Sequence, residues 1–523
     1  MIRKHLLFFL LLLLPLLSIS QNRYWVFFSN KHGSELDTEV FHPLALERRI
    51  QMGLNGFDST DFPVSGNYIQ QVSSRVKSLG KPSRWLNAIA VEATSAQLKK
   101  ISRLPFVKSV EPVQGQFFVA EYSESPIDNS NLNDLRVRQL ARFNGDFFSS
   151  QNINGKGVRI AIFDAGFPSV DTHAAFEHLR RDKKIIATYD FTQNSTNVYR
   201  ANSHGTSVLS CIAGINNGQP MGLATGAEFL LAITEVSREP FSEEENWLAA
   251  LEWADRNGAQ IINSSLGYTY HRYFPEQMDG KISFVSRAAT MAARKGILVV
   301  NAAGNEGTNK WSVIGAPADA DSILTVGGVS PYSQLHINFA SYGPTADGRL
   351  KPNVSAFGEA QVTNKKGGFS SASGTSFASP LTAGFAACAL QLYPKATAME
   401  LLKIIEQSAD LYPYYDYAHG YGVPQANLLS NSAPTQQVGN SVKFEKNDDG
   451  VYVLIPDFNP QQQAGYNTTH LFWHIRKANG ELVEYGVIRV FQSKAFFVPT
   501  TNDQVNGNSL WVNYMGETYS YSL

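Results

Sequence analysis

The sequence predicts an α/β fold in its central part, with a small α+β segment before it and a small all-β segment after it. Residues 158–163 and 296–303 contain apolar runs, the first interrupted by one charge at Arg159, that are typical of buried parallel strands. Residues 205–213 and 377–392 are rich in small and apolar side chains, which favours tightly packed helices. Beyond residue 431, β-branched and aromatic runs alternate with Asn-Gly and Asp-Gly pairs, which indicates strands joined by turns.

Length, charge and cysteine content exclude several classes of protein. A chain of 523 residues is too long for one typical domain and long enough for a large core. Its net charge of −1 gives no electrostatic basis for nucleic-acid binding. The two cysteines, Cys211 and Cys388, cannot form a disulfide framework and are predicted to be buried small hydrophobes; a bridge between them is the alternative.

The N-terminus has the pattern of a secretory signal peptide. Arg3, Lys4 and His5 precede the apolar residues 6–17, and small residues follow, so cleavage is expected after Ser20. An uncleaved membrane anchor is the alternative, although the apolar run is shorter than a span requires. The pattern predicts a secreted or exported protein that is extracellular, periplasmic or on the cell surface, with no membrane span after signal removal.

Residues 21–120 alternate between strand and helix patterns. Residues 24–28, 85–92 and 106–110 are predicted strands, and residues 67–79 are a predicted helix that Gly80 ends. Thr94 to Gln97 has a capping-box signature for a second helix.

Three polar residues stand where chemistry is expected in an α/β domain. Asp164 ends a predicted buried strand, and open α/β sheets carry their active sites at such ends. His204 and Ser376 each open a predicted helix. A serine hydroxyl needs a neighbouring base to become a nucleophile, and an imidazole oriented by a carboxylate can be that base.

The segments around these residues resemble the subtilisin-like serine proteases, over a region that runs from Leu132 to Leu429. The resemblance is carried by Ile-Ala-Ile-Phe-Asp-Ala-Gly at 160–166, Ser-His-Gly-Thr at 203–206 and Ser-Gly-Thr-Ser-Phe-Ala-Ser-Pro at 373–380. It implies a doubly wound, mostly parallel sheet with helices on both faces. It also implies an Asp164, His204 and Ser376 triad, with Asn305 as the oxyanion-hole donor. His204 and Asn305 disfavour the related sedolisin arrangement, which has an acidic base.

The same resemblance implies how a peptide would bind. Ser265, Leu266 and Gly267 match an exposed edge that pairs with extended substrate, which suits broad specificity. A pocket for large apolar residues before the scissile bond would be lined by small residues, namely Gly267, Ala302, Ala303, Gly304 and Gly315. Glu306 matches the pocket rim, where it could accept a basic residue or be only a solvated acid. Ala316–Pro317 matches a frequent cis-proline position.

The resemblance also implies a domain order. Residues 1–20 would be the signal peptide, 21–120 an inhibitory propeptide lengthened by residues 42–53, 121–431 the catalytic domain and 432–523 a small β-sandwich of unresolved role. An independent binding module is the alternative for residues 21–120. No cofactor is expected. A structural calcium is the alternative, because the loop at 215–222 lies where many relatives hold one and carbonyls can supply ligands, although the loop is slightly shorter and lacks carboxylates.

The expected function is a secreted serine endopeptidase that acts on protein or peptide substrates and is inhibited by its own propeptide. A catalytically idle, peptide-binding relative is the first alternative. An α/β-hydrolase esterase is the second, but the order of the triad and the Gly-Thr-Ser-Phe-Ala sequence at Ser376 disfavour it.

Overall fold

The computed structural model describes residues 23–113, 123–125, 129–236, 242–269, 273–430, 442–456, 470–490, 494–501 and 507–523. For residues 123–125 and 129–131 it describes only the backbone. The predicted signal peptide lies outside the described residues. The chain divides into two compact units: unit 1 is Met1–Glu35 with Pro63–Val113, and unit 2 is Leu36–Phe62 with Gln114–Leu523.

Unit 1 contains a small antiparallel sheet with helices. Its strands are β1 (Arg23–Phe28), β2 (Ser78–Ser83), β3 (Ala88–Glu92) and β4 (Val107–Pro112), in the spatial order β2-β3-β1-β4. The first helices along the chain are α1 (Pro43–Gln51), α2 (Gly66–Ser73) and α3 (Ser95–Ile101), of which α1 belongs to unit 2. The predicted capping box is confirmed, because Thr94 and Gln97 cap α3 reciprocally.

One predicted helix of unit 1 is wrong in its second half. The helix predicted at 67–79 ends at Ser73, and Leu79 and Gly80 lie in β2. Strand β2 is at the edge of the sheet, and its pairing with β3 is irregular between Leu79 and Pro82. Edge strands tolerate glycine and proline, so Gly80 does not act there as a helix stop.

Unit 2 is built on a parallel sheet. Strands run in chain order as β5 (Ser123–Ser125), β6 (Arg159–Asp164), β7 (Ile185–Asp190), β8 (Ile215–Asn216), β9 (Gln219–Pro220), β10 (Glu228–Ile233), β11 (Ile261–Ser264), β12 (Leu298–Ala302), β13 (Leu324–Val329), β14 (Val354–Phe357), β15 (Glu359–Thr363) and β16 (Phe369–Ser373). The spatial order is β14-β13-β12-β11-β6-β10-β7, and every neighbouring pair is parallel. The predicted parallel sheet is confirmed, and its chain order reverses beside β6.

Helices cover both faces of this sheet. They are α4 (Asn129–Ala141), α5 (Asp146–Ser150), α6 (Glu177–Arg181), α7 (His204–Ala213), α8 (Ser242–Arg256), α9 (Phe284–Arg294), α10 (Thr375–Leu392) and α11 (Ala398–Gln407), with 3₁₀ turns at Ala174–Phe176, Pro275–Gln277 and Ala426–Leu428. Ile162 belongs to the apolar core that α7 and α10 share, whereas the ring of Phe163 lies 5.8 Å from that of Trp247 in α8. Successive strand residues point to opposite faces, so α7 and α8 lie on opposite sides.

The C-terminal part is all-β, as predicted. Its strands are β17 (Lys443–Asn447), β18 (Gly450–Leu454), β19 (His470–Arg476), β20 (Leu482–Arg489), β21 (Ala495–Pro499), β22 (Ser509–Tyr514) and β23 (Glu517–Ser522). They pair in the orders β17-β18-β21 and β20-β19-β22-β23. One apolar core takes Val451 and Val498 from the first sheet and Leu471 and Val512 from the second. The two sheets therefore share their core.

Both cysteines are buried, as the sequence predicts. Cys211 in α7 and Cys388 in α10 are buried free thiols, and burial raises the pKa of each. Among the described residues, no helix is both long and apolar enough to span a bilayer.

Candidate active site

Asp164 is the last residue of β6, at the carboxyl edge of the sheet. Its side chain is fully buried. The Ala165 N–H donates to Asp164 Oδ1 at 2.8 Å, and His204 Nδ1 lies 2.9 Å from Oδ1 and 3.0 Å from Oδ2. A buried carboxylate is stable only where donors surround it, and the imidazole is one of those donors.

His204 is the first residue of α7, and the start of that helix lies unusually close to the end of β6. A Cβ placed on Gly205 would lie 2.4 Å from the Gly166 oxygen and 2.9 Å from Asp164 Cβ. The residue after His204 must therefore be glycine for the helix to approach this closely. The His204 N–H donates to Asn202 Oδ1 at 2.9 Å, which also orients the start of the helix.

The contact with Asp164 determines which ring nitrogen of His204 carries the proton. Carboxylate oxygens only accept hydrogen bonds, so Nδ1 must be the N–H donor. In the neutral ring Nε2 is then a lone-pair acceptor, which is what a general base requires. The ring of His204 lies 5.7 Å from that of Phe377, the residue that follows Ser376.

Ser376 lies in the first turn of α10 and is held by an exchange of hydrogen bonds with Ser265. Ser376 Oγ donates to the Ser265 carbonyl at 3.3 Å, and Ser265 Oγ donates to the Ser376 carbonyl at 2.9 Å. The first turn of a helix offers backbone N–H groups without helical partners and the positive end of the helix dipole. Negative charge that develops near Ser376 is therefore stabilised.

Asn305 is oriented by the residue that precedes Ser376. The Thr375 N–H and the Thr375 hydroxyl both donate to Asn305 Oδ1, each at 2.9 Å. A backbone N–H can only donate, so the carboxamide oxygen faces Thr375 and Nδ2 is left as the donor on the other side. Nδ2 lies 3.4 Å from the position that a Cβ on Gly374 would occupy, beside the turn that leads to Ser376.

The predicted substrate-binding residues follow β11 and β12. Ser265, Leu266 and Gly267 continue from β11, and the Leu266 carbonyl accepts from Asn301 Nδ2 at 3.0 Å. A Cβ on Gly267 would meet nothing within 4 Å, so this position is open. Ala302 and Ala303 are buried at the end of β12. The structure therefore leaves room beside Gly267.

Three further predicted residues have local roles that the sequence does not show. A Cβ on Gly304 would lie 2.7 Å from Ser341 Oγ, and one on Gly315 would lie 2.7 Å from Thr269 Cγ2. Both glycines thus allow neighbouring groups to approach. The Glu306 side chain accepts a hydrogen bond from Asn309 Nδ2. The Ala316–Pro317 peptide bond is cis.

Sequence reasoning missed residues that support the site through the fold. Asn263 Nδ2 donates to Ser265 Oγ at 3.2 Å, and its Oδ1 accepts from Ser379 Oγ at 2.9 Å. Burial, and then the charges of Asp164 and Glu243, raise the pKa of Glu235 well above its usual value. Asn263 lies within β11 and Glu235 follows β10, and no local sequence pattern distinguishes either residue.

The loop that matches a calcium site of relatives forms a tight hairpin of β8 and β9. Asn216 lies within it, and its Nδ2 lies 3.4 Å from Gln361 Oε1. Across the part of the chain that the structure describes, no group of three or more His, Cys, Asp or Glu side chains is placed to hold a metal. The loop does not fit a calcium site built from carboxylates.

Two family models and several known proteins match this chain. A family model described as the Subtilase family matches residues 155–432, and one described as the Peptidase S8 propeptide domain of Bacteroidota matches residues 23–125. Subtilisin NAT of Bacillus subtilis subsp. natto is 29% identical over 342 residues, which cover 65% of this chain and 79% of that protein. A subtilisin of Bacillus pumilus is 31% identical over 263 residues, which cover 50% of this chain and 86% of that protein.

A solved structure shares the fold. The crystal structure of fervidolysin from Fervidobacterium pennivorans, a keratinolytic enzyme related to subtilisin, aligns with a TM-score of 0.56 and 17% sequence identity. The alignment covers 94% of this chain and 70% of that chain. At this identity the likeness shows the fold alone.

Gly205→Ala is expected to destabilise the protein by about 1–3 kcal/mol, because the added methyl group overpacks the contact between α7 and β6. Chemical denaturation of the full chain measures the loss, and a crystal structure measures the separation of His204 Nδ1 from Asp164, which should lengthen. Gly66→Ala is the matched control, since its Cβ would meet nothing within 4 Å. Equal stability of both variants would contradict the close approach.

Proposed function

Because this chain belongs to the Subtilase family and is a serine endopeptidase, we propose that it cleaves peptide bonds through an acyl-enzyme on Ser376. His204 is the general base and Asp164 orients it. The observation that carries this proposal is the contact of His204 Nδ1 with both oxygens of the buried Asp164 carboxylate, at 2.9 and 3.0 Å. This contact leaves Nε2 as the proton acceptor.

The reaction has two halves with the same proton acceptor. Ser376 Oγ bonds to the scissile carbonyl carbon while its proton moves to His204 Nε2. The C–N bond then breaks, and His204 returns the proton to the leaving amine. Water repeats the attack on the acyl-enzyme, gives its proton to His204, and releases the carboxylic acid as Ser376 regains its proton. Asp164 stabilises the imidazolium each time.

Asn305 is the proposed donor to the carbonyl oxygen in the tetrahedral intermediate. Its orientation by Thr375 supports this role, because the bonds to Oδ1 leave Nδ2 as the available donor near the turn before Ser376. A donor that is already oriented needs no reorganisation when the charge develops.

We propose broad specificity with a preference for large apolar residues before the scissile bond. The open position at Gly267 and the small side chains of Ala302 and Ala303 support a roomy pocket. Ser265 to Gly267 would pair with the main chain of an extended substrate, which selects little by side chain. Glu306, whose side chain accepts a hydrogen bond from Asn309, would stand at the rim of this pocket and could also accept a basic residue there.

We also propose that the protein is exported and made as an inhibited precursor. The match of residues 23–125 to a propeptide domain supports an intramolecular propeptide. The proposed domain order is the signal peptide at 1–20, the propeptide at 21–120, the catalytic domain at 121–431 and the β-sandwich at 432–523. The signal peptide pattern at 1–20 supports export.

Self-cleavage is proposed in the linker between Gln116 and Ser125. Phe117, Phe118 and Tyr122 suit an apolar pocket, and they lie outside the described residues. The backbone of Ser123–Ser125 pairs with β16, with Ser123 opposite Ser373. Because β16 leads directly into α10, Ser123 at the end of the linker lies opposite a residue only three positions before Ser376, the proposed nucleophile.

Ser376→Ala should abolish both labelling by a fluorophosphonate and maturation. The wild type should be labelled by a fluorophosphonate and should mature to a shorter form, because both events need the nucleophile. Ser376→Ala should take no label and accumulate as a folded precursor that lacks only the signal peptide. Intact mass and labelling of the secreted proteins measure both, with the exposed Ser430→Ala as control.

Each contrary result has its own meaning. An unlabelled wild type would indicate a catalytically idle, peptide-binding relative, and turnover of esters without peptides would indicate an esterase. An active wild type that retains the full propeptide mass would overturn the propeptide assignment. Equal shortened masses would show that another protease cuts the linker.

Asn305→Ala should lower kcat by about 10²–10³-fold with little change in KM, a magnitude that comes from subtilisin, a relative. Asn305→Asp is the matched variant, because it keeps an acceptor for Thr375 while it removes the donor. Both should lose kcat in steady-state peptide hydrolysis. An unchanged kcat with a raised KM would exclude the oxyanion role.

Cleavage after Phe, Tyr, Leu or Met should be faster than after Asp or Gly, by about 10–100-fold, because the pocket gains from burying apolar groups. A peptide library measures this preference. Glu306→Gln should reduce only cleavage after Lys or Arg, if the rim carboxylate accepts those residues. A preference for acidic residues would refute this description of the pocket.

A further inference from the structure

Residues 36–62, here called the anchor segment, belong to unit 2 although both of their neighbours in sequence belong to unit 1. The segment lies inside the match to the propeptide domain, and it contains α1. Its contacts show what holds it there.

Arg48 of α1 binds where two protease helices end. Its Nε donates to the Lys295 carbonyl at 2.9 Å, and its other nitrogens donate to the Ala259 carbonyl and to Asp255 Oδ1. Helix α8 ends at Arg256, and Lys295 is the C-terminal cap of α9. A cation at two helix C-termini is favoured by both dipoles and satisfies carbonyls that have no helical partner.

Arg49 makes a second, fully buried contact with the same carboxylate. Its guanidinium donates to Asp255 Oδ2 at 2.8 Å and, as a fork, to both oxygens of Asp61 at 2.8 and 2.9 Å. Arg49 is 1% exposed and the Asp255 side chain 0%. A buried ion pair of this kind becomes costly when one partner leaves, because the other charge stays behind unpaired.

The charges are reversed at the neighbouring contact. Lys295, on the protease side, lies 3.2 Å from Asp58 and 3.2 Å from Asp61 of the anchor segment. The segment thus offers cations to Asp255 and carboxylates to Lys295. Such reciprocal pairing specifies one partner and one register.

The protease surface also fits the segment in shape. Gly258 and Gly296 follow the ends of α8 and α9 with φ of +78° and +85°. A Cβ on Gly258 would lie 2.8 Å from Leu44 Cβ, and one on Gly296 would lie 2.9 Å from Met52 Cγ. The backbone at both helix ends is therefore in direct contact with the segment.

We propose that this surface is a docking site for the chain's own anchor segment, which keeps the propeptide bound to the protease after the linker is cut. Asp255 and Lys295 are its charged groups on the protease, and Arg48 and Arg49 are the main binding residues on the segment. The proposal rests on the proposed self-cleavage. The ion pairs of the anchor segment then set how long the cut propeptide stays bound.

Arg48→Met tests the proposal in the full-length secreted chain, since it keeps the apolar stem and removes the guanidinium. Intact mass follows cleavage of the linker, and native mass spectrometry with a peptidase assay follows release of the propeptide. Cleavage should keep its wild-type rate, while the lag before activity should shorten by about tenfold or more, because lost buried pairs mainly raise dissociation rates.

Lys77→Met is the matched control, because Lys77 makes an exposed ion pair with Glu92 in unit 1. It should behave as wild type, because exposed pairs contribute little. A lag in Arg48→Met equal to that of wild type would overturn the proposal. Arg48→Lys keeps the charge but not the fork of donors, so its lag should fall between those of wild type and Arg48→Met. If Arg48→Met does not fold, Arg48→Lys takes its place in the test.

A second measurement is independent of cleavage. In the Ser376→Ala full chain, amide hydrogen exchange should be slow in α1, and Arg48→Met or Arg48→Lys should speed exchange in α1 while α7 and α10 stay protected. Unchanged exchange rates in α1 would overturn the proposed docking of the anchor segment, whether or not the chain cuts itself. A wild type that is never cut would instead contradict the proposed function and leave this test of the anchor valid.

Discussion

The candidate site depends on holding the fully buried Asp164 carboxylate against one edge of the His204 ring. An ionised carboxylate in that position must be satisfied by donors, and the imidazole N–H and the Ala165 N–H are two of them. The contact forms only because the start of α7 approaches the end of β6 more closely than any residue but glycine allows at position 205. The tautomer of the histidine thus follows from backbone packing.

A second set of contacts links the remaining groups to this pair. Thr375 fixes the carboxamide of Asn305 and also bonds Gly304, while Ser265 exchanges hydrogen bonds with Ser376. These bonds join the ends of β11 and β12 to the first turn of α10. Side chains that hydrogen bonds already hold in place need little reorganisation during a reaction. Fixed dipoles stabilise developing charge best under that condition.

Sequence patterns predicted the elements that carry the site, because each has a local signature: an apolar run before Asp164, and small-residue helices after His204 and Ser376. They failed where the deciding contact is distant in sequence. Gly80 predicts the end of a helix, yet it lies in β2, an irregular edge strand defined by its pairing with β3. Thr375 and Asn263 support the site through partners 70 and 116 residues away, which no local pattern reveals.

The anchor segment shows the same limit most clearly. The sequence predicts a propeptide lengthened by residues 42–53 but not the partner of that insertion, because Arg48 and Arg49 meet Asp255 across more than 200 residues. Cutting a linker changes an intramolecular contact into one between two molecules, and its persistence then depends on how many contacts must break together. Arg48, Arg49 and Asp61 belong to one short segment, so each of their ion pairs raises the effective concentration of the others. In a precursor that is cut as proposed, the buried ion pairs of the anchor segment would set the time between cleavage of the linker and release of the propeptide.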